Sequence, residues 1–177
     1  PAFRAVQAKY PDVAVIHFDA HTDLREEYLG NRLSHATVIR RIWEIIGDGR
    51  IFQFGIRSGE RAEWYWSAEG HTKIQKFSFA GLDEAIESLA GRPVYLTIDL
   101  DVLDPSCFPG TGTPEAGGVR FTDLLSAALR TIRGCRIVGC DMVELSPPLD
   151  PSGASTATAL KLLREMLLAL EKPYIQE

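Results

Sequence analysis

The amino-acid sequence predicts a three-layer α/β/α domain, with helices covering both faces of a mostly parallel sheet of about five strands. Three features lead there. Apolar runs of strand length alternate with segments of helical periodicity along the whole chain. Runs such as Val13–Phe18 and Val94–Ile98 are almost continuously apolar, as strands covered on both faces are. No repeat, low-complexity stretch or linker divides the 177 residues, which read as a single domain.

Taken in order, Ala2 to Lys9 reads as a helix that stops before Pro11 and leads into the strand Val13–Phe18. A helix entering a strand is the second half of a crossover, so a further strand is expected before Pro1, and residues 1–177 read as a domain lacking its N-terminal portion. The strand beside that missing part is expected to expose an unpaired edge and to favour assembly into a homo-oligomer. Ser34 to Ile46 is an amphipathic helix with Ser34 as N-cap and Val38, Ile39, Ile42, Ile45 and Ile46 on one side. Ile51–Ile56 is a strand, Glu60–Ala68 a short helix carrying Trp64 and Trp66, and Ile74–Phe79 an edge strand of mixed polarity. Leu82–Leu89 is a helix closed by Gly91, and Val94–Ile98 a buried strand. A loop rich in Gly and Pro spans Leu100–Phe121, then come a helix Thr122–Ile132 capped by Thr122 and a strand Arg136–Leu145. Thr156–Leu170 closes the domain as a helix, with Leu160, Leu163, Leu167 and Leu170 expected to face the core.

The balance of 19 Lys and Arg against 24 Asp and Glu gives a net charge of −5, which argues against a nucleic-acid partner. No apolar run reaches the roughly 18 residues of a membrane span, so no membrane partner is expected. Cys107, Cys135 and Cys140, sparse and odd in number, read as reduced thiols of a cytoplasmic protein.

Ligands of such a fold bind beyond the carboxyl ends of the strands. Two strands end there in acidic clusters, Asp19-Ala20-His21-Thr22-Asp23 and Asp99-Leu100-Asp101. Alternate residues of an extended chain share a side, so Asp19, His21 and Asp23 can converge, as can Asp99 and Asp101. Carboxylates gathered so closely stay ionised only beside cations. Oxygen-rich ligation with one imidazole favours Mn²⁺ or Mg²⁺ over Zn²⁺. Four carboxylates exceed the needs of one small ion and suit two, about 3.5–4 Å apart. Asp104, before Pro105, reads as a turn former.

These clusters, with Ser34-His35, Thr97-Ile98-Asp99-Leu100-Asp101, Asp104-Pro105 and Asp141-Met142-Val143-Glu144-Leu145-Ser146-Pro147, resemble the ureohydrolase family of arginases and agmatinases. The stretch Gly110-Thr111-Gly112-Thr113-Pro114-Glu115-Ala116-Gly117-Gly118 is more similar to agmatinases than to arginases. The resemblance implies an arginase-like fold and two Mn²⁺ ions per subunit, bridged by Asp19 and Asp99. His21 and Asp101 would complete one ion and Asp23 would bind the other. It assigns the catalytic roles to His35, Glu144 and Asp101: His35 as a proton shuttle at the leaving amine, Glu144 as the ligand of a small guanidino substrate. Agmatine would give urea and putrescine, a polyamine.

The family has one more His ligand, in a Gly-Gly-Asp-His motif that this sequence lacks. His17, inside a strand, reads as a packed core histidine, and His71 as solvated in a polar turn. Two other readings stay open: a related hydrolase acting on guanidinobutyrate, arginine or formiminoglutamate, and a degenerate chain that serves only as an assembly partner.

Overall fold

A computed structural model describes residues 1–171. In chain order its elements are α1 (Ala2–Lys9), β1 (Ala14–Phe18), α2 (Val38–Ile46), β2 (Ile51–Ile56), α3 (Arg61–Trp66), β3 (Lys73–Lys76), α4 (Leu82–Ser88), β4 (Pro93–Asp99), α5 (Phe121–Gly134), β5 (Arg136–Val143) and α6 (Ala154–Leu170). The strands form one sheet in the order β3-β2-β1-β4-β5, every neighbouring pair parallel.

Side-chain alternation along β1 builds two cores. Ala14, Ile16 and Phe18 point to one face and pack with Phe54, Leu96 and Ile98 beneath α4, α5 and α6. Val13 and Val15 point to the other, with Ile51 and Tyr95, beneath Phe3 of α1 and Ile39, Ile42 and Ile46 of α2. Every residue of β1 and β4 is buried, which explains their unbroken apolar runs. The predicted three-layer class and its five strands are therefore present. β1 is paired on both sides, and the edges among the described residues are β3 and β5.

The helices hold three corrections. α6 turns Ser155, Ala159, Leu162 and Met166 inward, while Leu160, Leu163, Leu167 and Leu170 are exposed. Both sets repeat at helical spacing, so periodicity could not choose between them. Close packing chooses: Gly110 N donates to Ser155 Oγ at 2.9 Å, and Ala159, Leu162 and Met166 continue that side of α6 into the core. In α2, Val38 is 42% exposed, and Ser34 caps a short 3₁₀ turn, His35–Thr37, that precedes the α-helix. α5 begins at Phe121, because the Asp123 carboxylate accepts the Arg120 N–H and so leaves Thr122 inside the helix.

Two glycines set the ground for the site. Gly55 in β2 has φ +86°, and a Cβ there would lie 2.5 Å from Val102 Cγ2, in the turn that carries Asp101. A Cβ on Gly118 would lie 2.4 Å from Asp104 N, so only glycine lets the 110–118 loop lie against the chain leaving β4.

Candidate metal centre

β2 lies on one side of β1 and β4 on the other, so the crevice where the chain changes direction opens at the ends of β1 and β4. Phe18 pairs with Ile98, which sets Asp19 and Asp99 at the same level of adjacent strands. The two acidic clusters meet there. Asp101 Oδ1 accepts from Ala20 N at 3.1 Å, and Asp99 Oδ1 from Asp101 N at 2.9 Å. Asp19 Oδ1 accepts from His21 N at 2.6 Å. His21 Nδ1 stands 3.0 Å from Asp101 Oδ2 and 3.4 Å from Asp19 Oδ1.

Asp19, Asp99 and Asp101 are all buried. Burial and the charges of Asp19 and Asp101 push Asp99 well above the usual carboxylate range. Asp23 rises likewise, by burial and by Asp19. Burial opposes ionisation of Asp19 too, but hydrogen bonds from His17 and His21 hold it well below that range. Burial disfavours a charged His21, yet its hydrogen bonds to Asp101 and Asp19 outweigh this and raise the imidazole to about 10.

This donor set fits divalent cations. Ligand atoms of Asp19, His21 and Asp101 lie within 4.8 Å of one another, as do those of His17, Asp19 and Asp23, so Asp19 belongs to both groups. Asp99 lines the same cleft but stands outside these two tight groups. Carboxylates forced above their ordinary range are short of positive charge, which a hard ion supplies.

The cleft measures about 480 Å³ and is lined by His21, Asp23, Asp99, Asp101, His35 and Glu144 among others. All seven residues singled out in the sequence thus lie at or beside one centre. Glu144 is past the end of β5, not within a strand, and has φ +63°; Asp23 has φ +54°. Left-handed backbone at two such acids marks conformations imposed by their surroundings. His35 packs edge-on against Tyr28, with centroids 5.2 Å apart. Asp104 is the expected loop former: its carboxylate accepts from Ser106 N, Gly117 N and Gly118 N.

The structure adds residues that the sequence did not announce. Buried Glu63 accepts from Thr22 Oγ1 at 2.7 Å and Leu24 N at 2.8 Å, pinning the first acidic loop to α3. Its only signal is its place three residues after Glu60, whose N–H it also accepts. Arg57 donates to the carbonyls of Gly55, Asp101, Val102, Leu103 and Glu115, and so ties β2 to the second acidic loop and the 110–118 loop. Tyr95 donates to Asp141 Oδ2. His71 is not simply solvated: it stacks on Trp66 at 4.4 Å, and its Nδ1 lies 2.8 Å from Asp48 Oδ1. Burial raises the thiol of Cys135 to about 11, which favours its protonated form.

A parallel α/β sheet thus carries, at its switch point, an acid-rich centre with two groups of residues able to hold a metal ion. The chain belongs to the arginase family, whose profile matches residues 1–169. The agmatinase of Bacillus subtilis is 48% identical over 174 residues, covering 97% of this chain and 60% of its own. The guanidinobutyrase of Pseudomonas aeruginosa is 38% identical over 184 residues, covering 96% of this chain and 56% of its own. A crystal structure from Clostridium difficile, described as a candidate agmatinase, superposes with a TM-score of 0.92 at 53% identity, covering 96% of this chain and 62% of that one. The chain thus spans about 60% of the length of the curated agmatinases it matches.

Proposed function

We propose that this chain carries the greater part of the active centre of a dinuclear manganese amidinohydrolase that converts agmatine to putrescine and urea. The observation behind this reading is that His35 and Glu144 line the same cleft as Asp19's neighbours His21, Asp99 and Asp101. Asp19, His21, Asp23, Asp99 and Asp101 would hold the metal ions, the oxygen-rich set favouring Mn²⁺. Bound metal supplies a water acidified enough to act near neutral pH. Glu144 accepts paired hydrogen bonds from the planar guanidinium, which orients its carbon toward the acid cluster. His35, on the exposed turn before α2, delivers a proton to the departing amine.

The substrate choice rests on cleft charge. Among the described residues Arg25 is the one Lys or Arg lining the cleft, and it is engaged: its Nη2 lies 3.1 Å from Glu60 Oε1 and its guanidinium 4.9 Å from the Tyr28 ring centroid. Among those residues no free Lys or Arg faces the cleft to receive a substrate carboxylate, which favours agmatine over arginine and guanidino acids. The guanidinobutyrase relative supports a second reading, in which Arg25 leaves Glu60 to take a guanidino acid. Because the chain spans only part of its relatives, the activity is proposed for the whole protein. No helix among the described residues is long and apolar enough to cross a membrane. A cytoplasmic homo-oligomer belongs to the same reading.

Urea release by the full-length protein with Mn²⁺, from agmatine, arginine and guanidinobutyrate at equal concentrations, tests this. Agmatine should react fastest. Faster release from guanidinobutyrate would favour the second reading, and no release from any guanidine would sink both.

A further inference from the structure

His17 and Gln53 face one another as partners in register on β1 and β2. They are buried, at 3% and 0% exposure. Gln53 Nε2 lies 2.8 Å from Thr22 O and 3.1 Å from His17 Nδ1. A carbonyl oxygen can only accept, so the Gln53 atom beside Thr22 is the nitrogen; the reversed amide would set two oxygens against each other. One N–H of Gln53 goes to Thr22 O and the other to His17 Nδ1, which therefore accepts and carries no proton. The His17 proton is on Nε2, 2.8 Å from Asp19 Oδ2.

We propose that His17 is a positioning residue for Asp19: a neutral imidazole, fixed by Gln53 as its Nε2–H tautomer, donates to Oδ2 and so orients the carboxylate toward a cation. This rests on the reading of Asp19 as a metal ligand. Direct ligation by His17 is the rival, since His17, Asp19 and Asp23 form one of the two tight groups. A ring nitrogen that carries a proton, or that accepts an N–H, has no lone pair to give a metal. Both nitrogens of His17 are so engaged. Partners of this kind orient a metal's ligands without touching the metal.

The test uses the full-length protein. Metal-free wild type gives imidazole ¹H–¹⁵N spectra, and wild type, His17→Leu and His17→Gln are titrated with Mn²⁺ alone against a chelating indicator. Expected are an unprotonated His17 Nδ1 and a protonated Nε2. His17→Leu should bind as many ions at saturation as wild type, with about 10- to 100-fold weaker affinity for at least one. His17→Gln, whose amide N–H replaces the donor, should recover most of that loss. A protonated Nδ1 would overturn the inference even if His17→Leu does not fold. One ion fewer at saturation would make His17 a ligand, and unchanged affinity would make it packing alone; either result also overturns it. A wild type that takes up no Mn²⁺ would instead sink the metal reading on which the inference stands.

Discussion

Glu144 Oε2 lies 3.5 Å from the place a Cβ would take on Gly112. The 110–118 loop therefore passes over the carboxylate proposed to receive the guanidinium, with room for a methyl group and little more. Gly112→Ala would make an ordinary contact there, whereas Gly112→Val would push methyl groups toward the carboxylate. Gly112→Val should fold, and its KM for agmatine should rise about tenfold or more with a smaller change in kcat. An unchanged KM, measured by urea release, would remove Glu144 from the substrate site. Glu144→Gln, which loses the charge, should cost about 1.5–3 kcal/mol of transition-state binding in kcat/KM.

Asp99 and Asp104 differ in what they face. Asp99 is buried in the cleft, whereas Asp104 uses both carboxyl oxygens on loop N–H groups. Asp99→Asn should lower bound manganese, by elemental analysis after dialysis, and Asp104→Asn should leave it near the wild-type level. Equal metal content in the two variants would show the second cluster to be structural.

Hydrogen bonds from Ser106, then from Gly118 and Gly117, lower the Asp104 carboxyl from 3.8 to about 2. A carboxylate depressed in the folded state stabilises that state above its unfolded value and loses the effect as pH falls through its folded value. The stability difference between wild type and Asp104→Asn should therefore be full above pH 5 and shrink steadily from about pH 4 toward pH 2. Solvent exposure of this loop keeps the effect small. Chemical denaturation across that range reads it, and a gap that widens on acidification would contradict the assignment.

The orientation of α6 predicts unequal costs for two leucines. Leu162 is fully buried, and Leu162→Ala should lose about 2–5 kcal/mol of unfolding free energy. Leu160 is 60% exposed, and Leu160→Ala should lose less than about 0.5 kcal/mol. Urea unfolding curves of the two variants distinguish them, and equal losses would place the helix the wrong way round.

Within the sequence, β1, β2 and β4 are legible because burial on both faces leaves almost no polar residue in them. The acids after β1 and β4 are legible for a related reason. Spacing of two along an extended chain sends Asp19, His21 and Asp23 one way, and ligand-type residues at strand ends have few structural uses. The family resemblance then assigns His35 and Glu144, which neither spacing nor composition singles out.

Tertiary structure decides what is degenerate in one dimension. Two stripes of α6 share the helical period, and packing shows which faces inward: Ser155 meets Gly110, and Ala159, Leu162 and Met166 join the core. The adjacency of β1 and β4 is a matter of strand order, which no local pattern records. Arg57 and Glu63 act on the site through carbonyls and N–H groups far away in sequence, so their types alone carry no mark of that work. His17 is one more polar residue in a strand until β2 brings Gln53 against it and Thr22 fixes the amide. Periodicity records which way a side chain points; only packing determines what it meets there.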